Sequence, residues 1–234
     1  MVNTSNQSKL HYVFDPLCGW CYAAAPLIHA AAQLQGLAVV LHPGGMMSGA
    51  NRQTVSPALR NYVMPHDQRI AELTGQPFGD AYFNGLLLDT SAVFDSTPPT
   101  LAILAAQALG FDGLAMLGKI QYAHYAQGLR ISDGTVLLQL ASELGIDSAS
   151  FLAQLDVLAQ QLEAQFAATR SLMRQHGLRG FPSLLLEQAG QFSVLDVSGF
   201  LGQPAQFVAS LSQVTGLAST EPVLALCTPD GCSI

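Results

Sequence analysis

Hydrophobic spacing changes twice along this chain. Short apolar, β-prone runs occur toward both ends, at Leu10–Phe14, Leu37–Leu41, Ser183–Glu187 and Phe192–Asp196. Turn residues bound them. Asp15-Pro16 ends the first run, His42-Pro43-Gly44-Gly45 follows the second, and Gly190 lies between the last two. An Ala-rich stretch from Cys18 to about Gln35 predicts a helix, ended by Gly36. Pro26 lies inside it and predicts a kink, because proline removes one backbone donor. From about Val55 to His176 the spacing becomes helical. Leu101, Leu104, Ala105, Ala108 and Leu109 share one face. Ser96-Thr97-Pro98-Pro99 before them supplies an N-cap and prolines suited to a first turn. Further helices are expected over Leu114–Leu129, from Ser132-Asp133 to Gly145, and from Ser148 to about His176 as one long element. Pro204–Val214 reads as the last helix.

The order is therefore βαβ, a helical interval, then ββα. Neither flanking part holds enough strands to form a covered sheet alone, so the two are expected to share one mixed sheet in an α/β fold. The implied organisation is a discontinuous domain over 9–48 and 177–216, an all-helical insert over 49–176, and a tail over 217–234.

Composition narrows the function classes. Of 234 residues, 50% are hydrophobic and 11% charged, which suits a large core, an apolar groove, or both. The richest apolar run, Leu101–Phe111, is short and contains Gln107, so no stretch approaches the roughly 18 apolar residues of a membrane span. A net charge of −7 with nine Lys and Arg argues against a nucleic-acid partner, and no basic run favours a membrane surface. Met1–Lys9 is polar with no apolar core, which points away from a secretory signal and toward the cytoplasm. In a reducing compartment, cysteines serve catalysis, sensing or metals more often than structural disulfides.

Cys18-Gly19-Trp20-Cys21 carries the clearest chemistry. Its thiols sit one helical turn apart, so they share a face. The helix start presents unpaired N–H groups and a positive dipole end, which stabilise a thiolate at Cys18. Cys18 is the expected nucleophile, and Cys21, one turn in, the resolving thiol. A C-x-x-C beside a βαβ pattern is a thioredoxin-type redox signature; zinc binding is the competing reading. The uncharged Gly19-Trp20 pair predicts a centre less oxidising than the strongest dithiol oxidants, since no cation between the cysteines favours the thiolate.

Other residues are less specific. Arg179-Gly180-Phe181-Pro182-Ser183 places a proline at the start of a strand, where it costs no ladder bond. Were the Phe181–Pro182 bond cis, Phe181 could offer its backbone to an extended substrate beside Cys18. Met46 and Met47 could line an adaptable apolar groove for substrate, or simply fill the core. Asp15 reads as a strand-ending turn rather than a proton relay. Tyr62, Tyr82, Tyr122 and Tyr125 read as packing residues. The six histidines lack metal-ligand spacing, so no metal or other cofactor is expected. Cys227 and Cys232 bracket Thr228-Pro229-Asp230-Gly231, a turn that could bring two thiols together.

Phe14-Asp15-Pro16-Leu17-Cys18-Gly19-Trp20-Cys21-Tyr22, the helical interval and Gly180-Phe181-Pro182 together resemble the DsbA-like thioredoxin-fold oxidoreductases, over about 10–215. The resemblance implies a thioredoxin-like fold with a helical domain inserted between its halves. It also implies thiol-disulfide exchange with protein or peptide thiols and disulfides, and glutathione or thioredoxin as further partners. By carry-over, Pro182 is a cis-proline facing Cys18 and Cys21, with Gly19, Trp20 and Phe181 at the substrate. The C-terminal cysteine pair resembles the cytosolic FrnE-like branch, in which Cys227 and Cys232 would form an auxiliary redox pair. Gly-Trp between the cysteines departs from the Pro-His of typical periplasmic members. Two other functions remain open at this point: a glutathione-dependent isomerase or transferase, which the second thiol Cys21 argues against, and a zinc-binding or holdase module.

Overall fold

The computed structural model describes residues 7–218. Cys227 and Cys232 lie outside the described residues. Strand β1 (Ser8–Phe14) is interior to a four-stranded sheet of order β2-β1-β5-β6. It runs parallel to β2 (Leu37–Pro43) and antiparallel to β5 (Ser183–Gln188), and β5 pairs antiparallel with β6 (Gln191–Leu195). Tyr12 stands between Leu41 and Leu184 in this register. The two halves of the chain do complete one mixed sheet.

Alternation along β1 sends Leu10, Tyr12 and Phe14 to one face, where all three are fully buried. They join Leu27 and Ile28 of α1 (Gly19–Ala31) and Leu184 and Leu186 of β5 in the core. Helix α1 continues through Pro26. Proline leaves the Tyr22 carbonyl without its usual partner. The side-chain amide of Gln76 donates to that carbonyl at 2.8 Å, which repairs the gap from outside the helix.

The interval between β2 and β5 is mostly helical: α2 (Pro57–Thr74), α3 (Thr97–Ala108), α4 (Gly113–Tyr125), α5 (Gly134–Glu143), α6 (Ser148–Ala159) and α7 (Leu162–Gln175). The final helix, α8 (Pro204–Thr215), packs on α1. Two features differ from the sequence reading. A two-residue ribbon, β3 (Gln53–Thr54) with β4 (Val93–Phe94), interrupts the helices and is too short to show a period in sequence. The expected long helix from Ser148 is two helices. Helix α6 packs on α3 and α5, whereas α7 packs on β2. The chain turns at Gln160-Gln161 to serve both partners. Leu162, Phe166 and Thr169 of α7 are buried, so the sheet takes one of its covering helices from within 49–176.

Candidate active site

The site begins where β1 ends. Asp15 closes a turn twice: its carbonyl accepts from the Cys18 amide at 3.1 Å, and its Oδ1 accepts from the Leu17 amide at 3.0 Å. This turn sets Cys18 as the residue capping α1, with extended backbone (φ −88°, ψ 112°). The Cys18 carbonyl then accepts from the amides of Cys21 and Tyr22 at 3.0 and 3.1 Å. Cys18 is therefore held at the positive end of the helix dipole.

The two thiols differ in environment. Cys18 is 6% exposed and Cys21 fully buried. Burial pushes the Cys21 thiol far above its ordinary range, and the adjacent Cys18 adds to the shift. Cys21 therefore stays protonated at neutral pH. That division suits one attacking thiol and one held in reserve.

Cys18 Sγ lies 3.5 Å from the Phe181 carbonyl, to which it donates. The Phe181–Pro182 peptide is cis. The ring of Phe181 lies against Gly44, where an added Cβ would sit 2.0 Å from Cε1. At Gly45 an added Cβ would meet Phe166 at 2.9 Å, and φ is +66° there. The Gly-Gly pair after β2 thus has a steric reason: aromatic rings from two other elements fill the space.

A groove of about 420 Å³ opens beside this contact. Trp20, Phe181, Pro182, Arg179, Asp196 and Ser198 are among its walls. Met46 and Met47 do not line it. Instead, their backbone amides donate to Asp15 Oδ2 at 2.6 Å and to Ser96 Oγ at 3.2 Å. Gly19 faces away from the groove, toward Asp67 and Ile70 of α2.

Asp15 is more than a turn residue. It is fully buried and also accepts from the Ser96 hydroxyl at 2.7 Å. One carboxylate so joins the Cys18 turn, the loop after β2 and the start of α3. Burial raises its pKa, and the hydrogen bonds from Ser96, Leu17 and Met46 oppose that rise.

Two residues near the site had no assigned role in the sequence reading. Arg179, two residues before Phe181, stands on the groove wall. Asp67 carries no local signal at all. The tyrosines divide: Tyr82 and Tyr125 are buried beside α1, whereas Tyr62 and Tyr122 are exposed. Away from the groove, His11 Nδ1 meets His42 Nε2 at 2.9 Å and His11 Nε2 meets Glu187 at 2.9 Å, linking three strands of the sheet. Burial lowers His42 to about 4 and His124 to about 3, which keeps both rings neutral at physiological pH.

Comparison with known proteins agrees with this architecture. Residues 9–204 match the family described as a DSBA-like thioredoxin domain. The structure is similar to that of the cytosolic disulfide reductase DsbM from Pseudomonas aeruginosa, with 54% identity and a TM-score of 0.83. The match covers 88% of this chain and 98% of that one. A structure of DsbM with GSH matches with 52% identity and a TM-score of 0.83, over 89% of this chain and 100% of that one. Pseudomonas aeruginosa DsbA shares the fold at 13% identity and a TM-score of 0.51, over 92% of this chain and 85% of that one. A search of curated proteins finds no match. From the family match and the likeness to DsbM, this chain belongs to the DsbA-like thioredoxin-domain family.

Proposed function

We propose that this protein is a cytoplasmic thiol-disulfide oxidoreductase that reduces protein disulfides with electrons from glutathione, through Cys18 and Cys21. The observation that carries the reading is Cys18 Sγ at 3.5 Å from the Phe181 carbonyl, beside an open groove, with Cys21 buried behind it. The likeness to a cytosolic disulfide reductase, and to its structure with GSH, supports both the direction and the small thiol. Among the described residues, no helix is long and apolar enough to cross a membrane.

In this reading the Cys18 thiolate attacks one sulfur of a substrate disulfide. The substrate S–S bond breaks, a Cys18–substrate disulfide forms, and the first substrate thiolate leaves and takes a proton. Cys21 then loses its proton and attacks Cys18 Sγ, which releases the second substrate thiol and leaves a Cys18–Cys21 disulfide. One glutathione thiolate attacks Cys18 and frees Cys21. A second attacks the mixed disulfide, releases Cys18 and departs as glutathione disulfide. Two glutathiones are oxidised for each substrate disulfide reduced.

The groove's polar groups suit that thiol. Glutathione carries two carboxylates and an ammonium. Arg179 offers a guanidinium to a carboxylate, and Asp196 offers its own carboxylate to the ammonium.

Blocking resolution tests the reading. Cys21→Ser incubated with glutathione disulfide is expected to accumulate one glutathione on Cys18, seen by intact and peptide mass spectrometry. An unmodified Cys18 would overturn the assignment. Arg179→Ala is expected to raise the glutathione concentration needed for half-reduction about fivefold, since an exposed ionic contact contributes about 1 kcal/mol. An unchanged requirement would remove Arg179 from the binding site.

A further inference from the structure

One buried titratable group beside the redox pair is left unused by this chemistry. Asp67, on α2, is 3% exposed and faces the first residue of α1. A Cβ built on Gly19 would lie 2.6 Å from Asp67 Oδ1. The carboxyl thus fills the space that a side chain between the two cysteines would take. Its Oδ2 accepts from the Tyr82 hydroxyl at 2.8 Å. Among the described residues, no Lys, Arg or His forms an ion pair with it. The titratable groups on this side are Tyr82 from the short helical segment Ala81–Gly85, Tyr125 and the neutral His124 from α4, which pack on Tyr82, and Cys18, next to Gly19 in the chain. None of these is a cation. The Tyr125 ring packs on Tyr82, with centroids 5.3 Å apart.

We propose that Asp67 is a positioning residue for the redox pair: its ionised carboxylate, packed against Gly19, opposes the Cys18 thiolate and holds the pair toward the reducing side. The inference rests on the Cys18–Cys21 exchange described above. The disulfide form carries no thiolate, so the carboxylate penalises only the reduced protein. A penalty on the reduced form makes it a better electron donor. Burial pushes the Asp67 carboxyl up to about 7, against the pull of the Tyr82 hydrogen bond. The effect is therefore present above neutrality and fades below it. The same contact gives position 19 a reason to be glycine, since a larger residue there would displace the carboxyl.

The test is the equilibrium of wild type and Asp67→Asn with glutathione, read as the fraction of reduced Cys18–Cys21. At about pH 8, the variant's constant is expected to shift about tenfold toward reduced protein, which is about 30 mV for two electrons. At about pH 5.5 the two proteins should agree, because Asp67 is already neutral there. Equal constants at both values would overturn the proposal. A second variant, Tyr82→Phe, removes the bond that favours the charged carboxylate. The pH at which Asp67 begins to act should then move upward, and a profile matching wild type would also overturn it. A wild type that does not equilibrate through Cys18–Cys21 would defeat the proposed function as well. Equilibration without any effect of the variants defeats this inference alone.

Discussion

Replacing Cys18 with serine removes disulfide reduction, by about three orders of magnitude or more, because the thiolate is the species that attacks and later leaves in exchange. A serine hydroxyl fits the same space but does neither. The substitution should hardly disturb the fold. Cys18 caps α1 through its backbone rather than its side chain, and its carbonyl bonds to the amides of Cys21 and Tyr22 remain. Insulin reduction driven by glutathione, beside a thermal melt of the same preparation, separates the two effects. A Cys18→Ser protein with substantial activity would refute the assigned nucleophile.

The largest stability effect is expected at Asp15. Its carboxylate accepts from Leu17, Met46 and Ser96 in a site with no exposure to water. Asp15→Ala leaves two amides and a hydroxyl unpaired in the interior. Each unmet buried donor costs about 1–3 kcal/mol, so a total loss of about 3–5 kcal/mol is expected after some relaxation. Part of this is offset because burial already disfavours the charged carboxylate. The sign follows from the raised pKa: ionisation destabilises the fold, so stability from this group falls as pH rises through the ordinary carboxylate range and levels off above the folded value. The deficit of Asp15→Ala should accordingly be larger in mild acid than at neutral pH. Urea unfolding at the two pH values measures both quantities. A loss under about 1 kcal/mol would mean that water or a backbone shift satisfies the three donors.

Much of the fold is legible without coordinates because its signals are local. Strands β1, β2, β5 and β6 announce themselves as short apolar runs between turn residues, and the structure places them within two residues of the expected limits. The starts of α3 and α8 are similarly marked by prolines in the first turn. The break between α6 and α7 has no such mark. No glycine or proline stands at Gln160-Gln161, and the helices part there only because one packs on α3 and the other on β2.

The site divides along the same line. Cys18 and Cys21 are three residues apart, so their shared face follows from helix geometry. Met46 and Met47 show the opposite case: apolar side chains suggested a groove, but the backbone amides of that loop are what the site uses. Asp15 reaches Ser96 across 81 residues, a contact no spacing rule contains.

The sequence by itself determined the βαβ–helices–ββα order, the family resemblance and the placing of a dithiol at a helix start. These depend on periodicity, turn propensity and neighbours within one helical turn. Only the tertiary structure decided what surrounds that dithiol: the Phe181 carbonyl against Cys18, Arg179 on the groove wall, and Asp67 against Gly19. Each of those contacts joins elements far apart in the chain, and their electrostatic weight comes from burial, which no residue has until the whole sheet and its helices have closed around it.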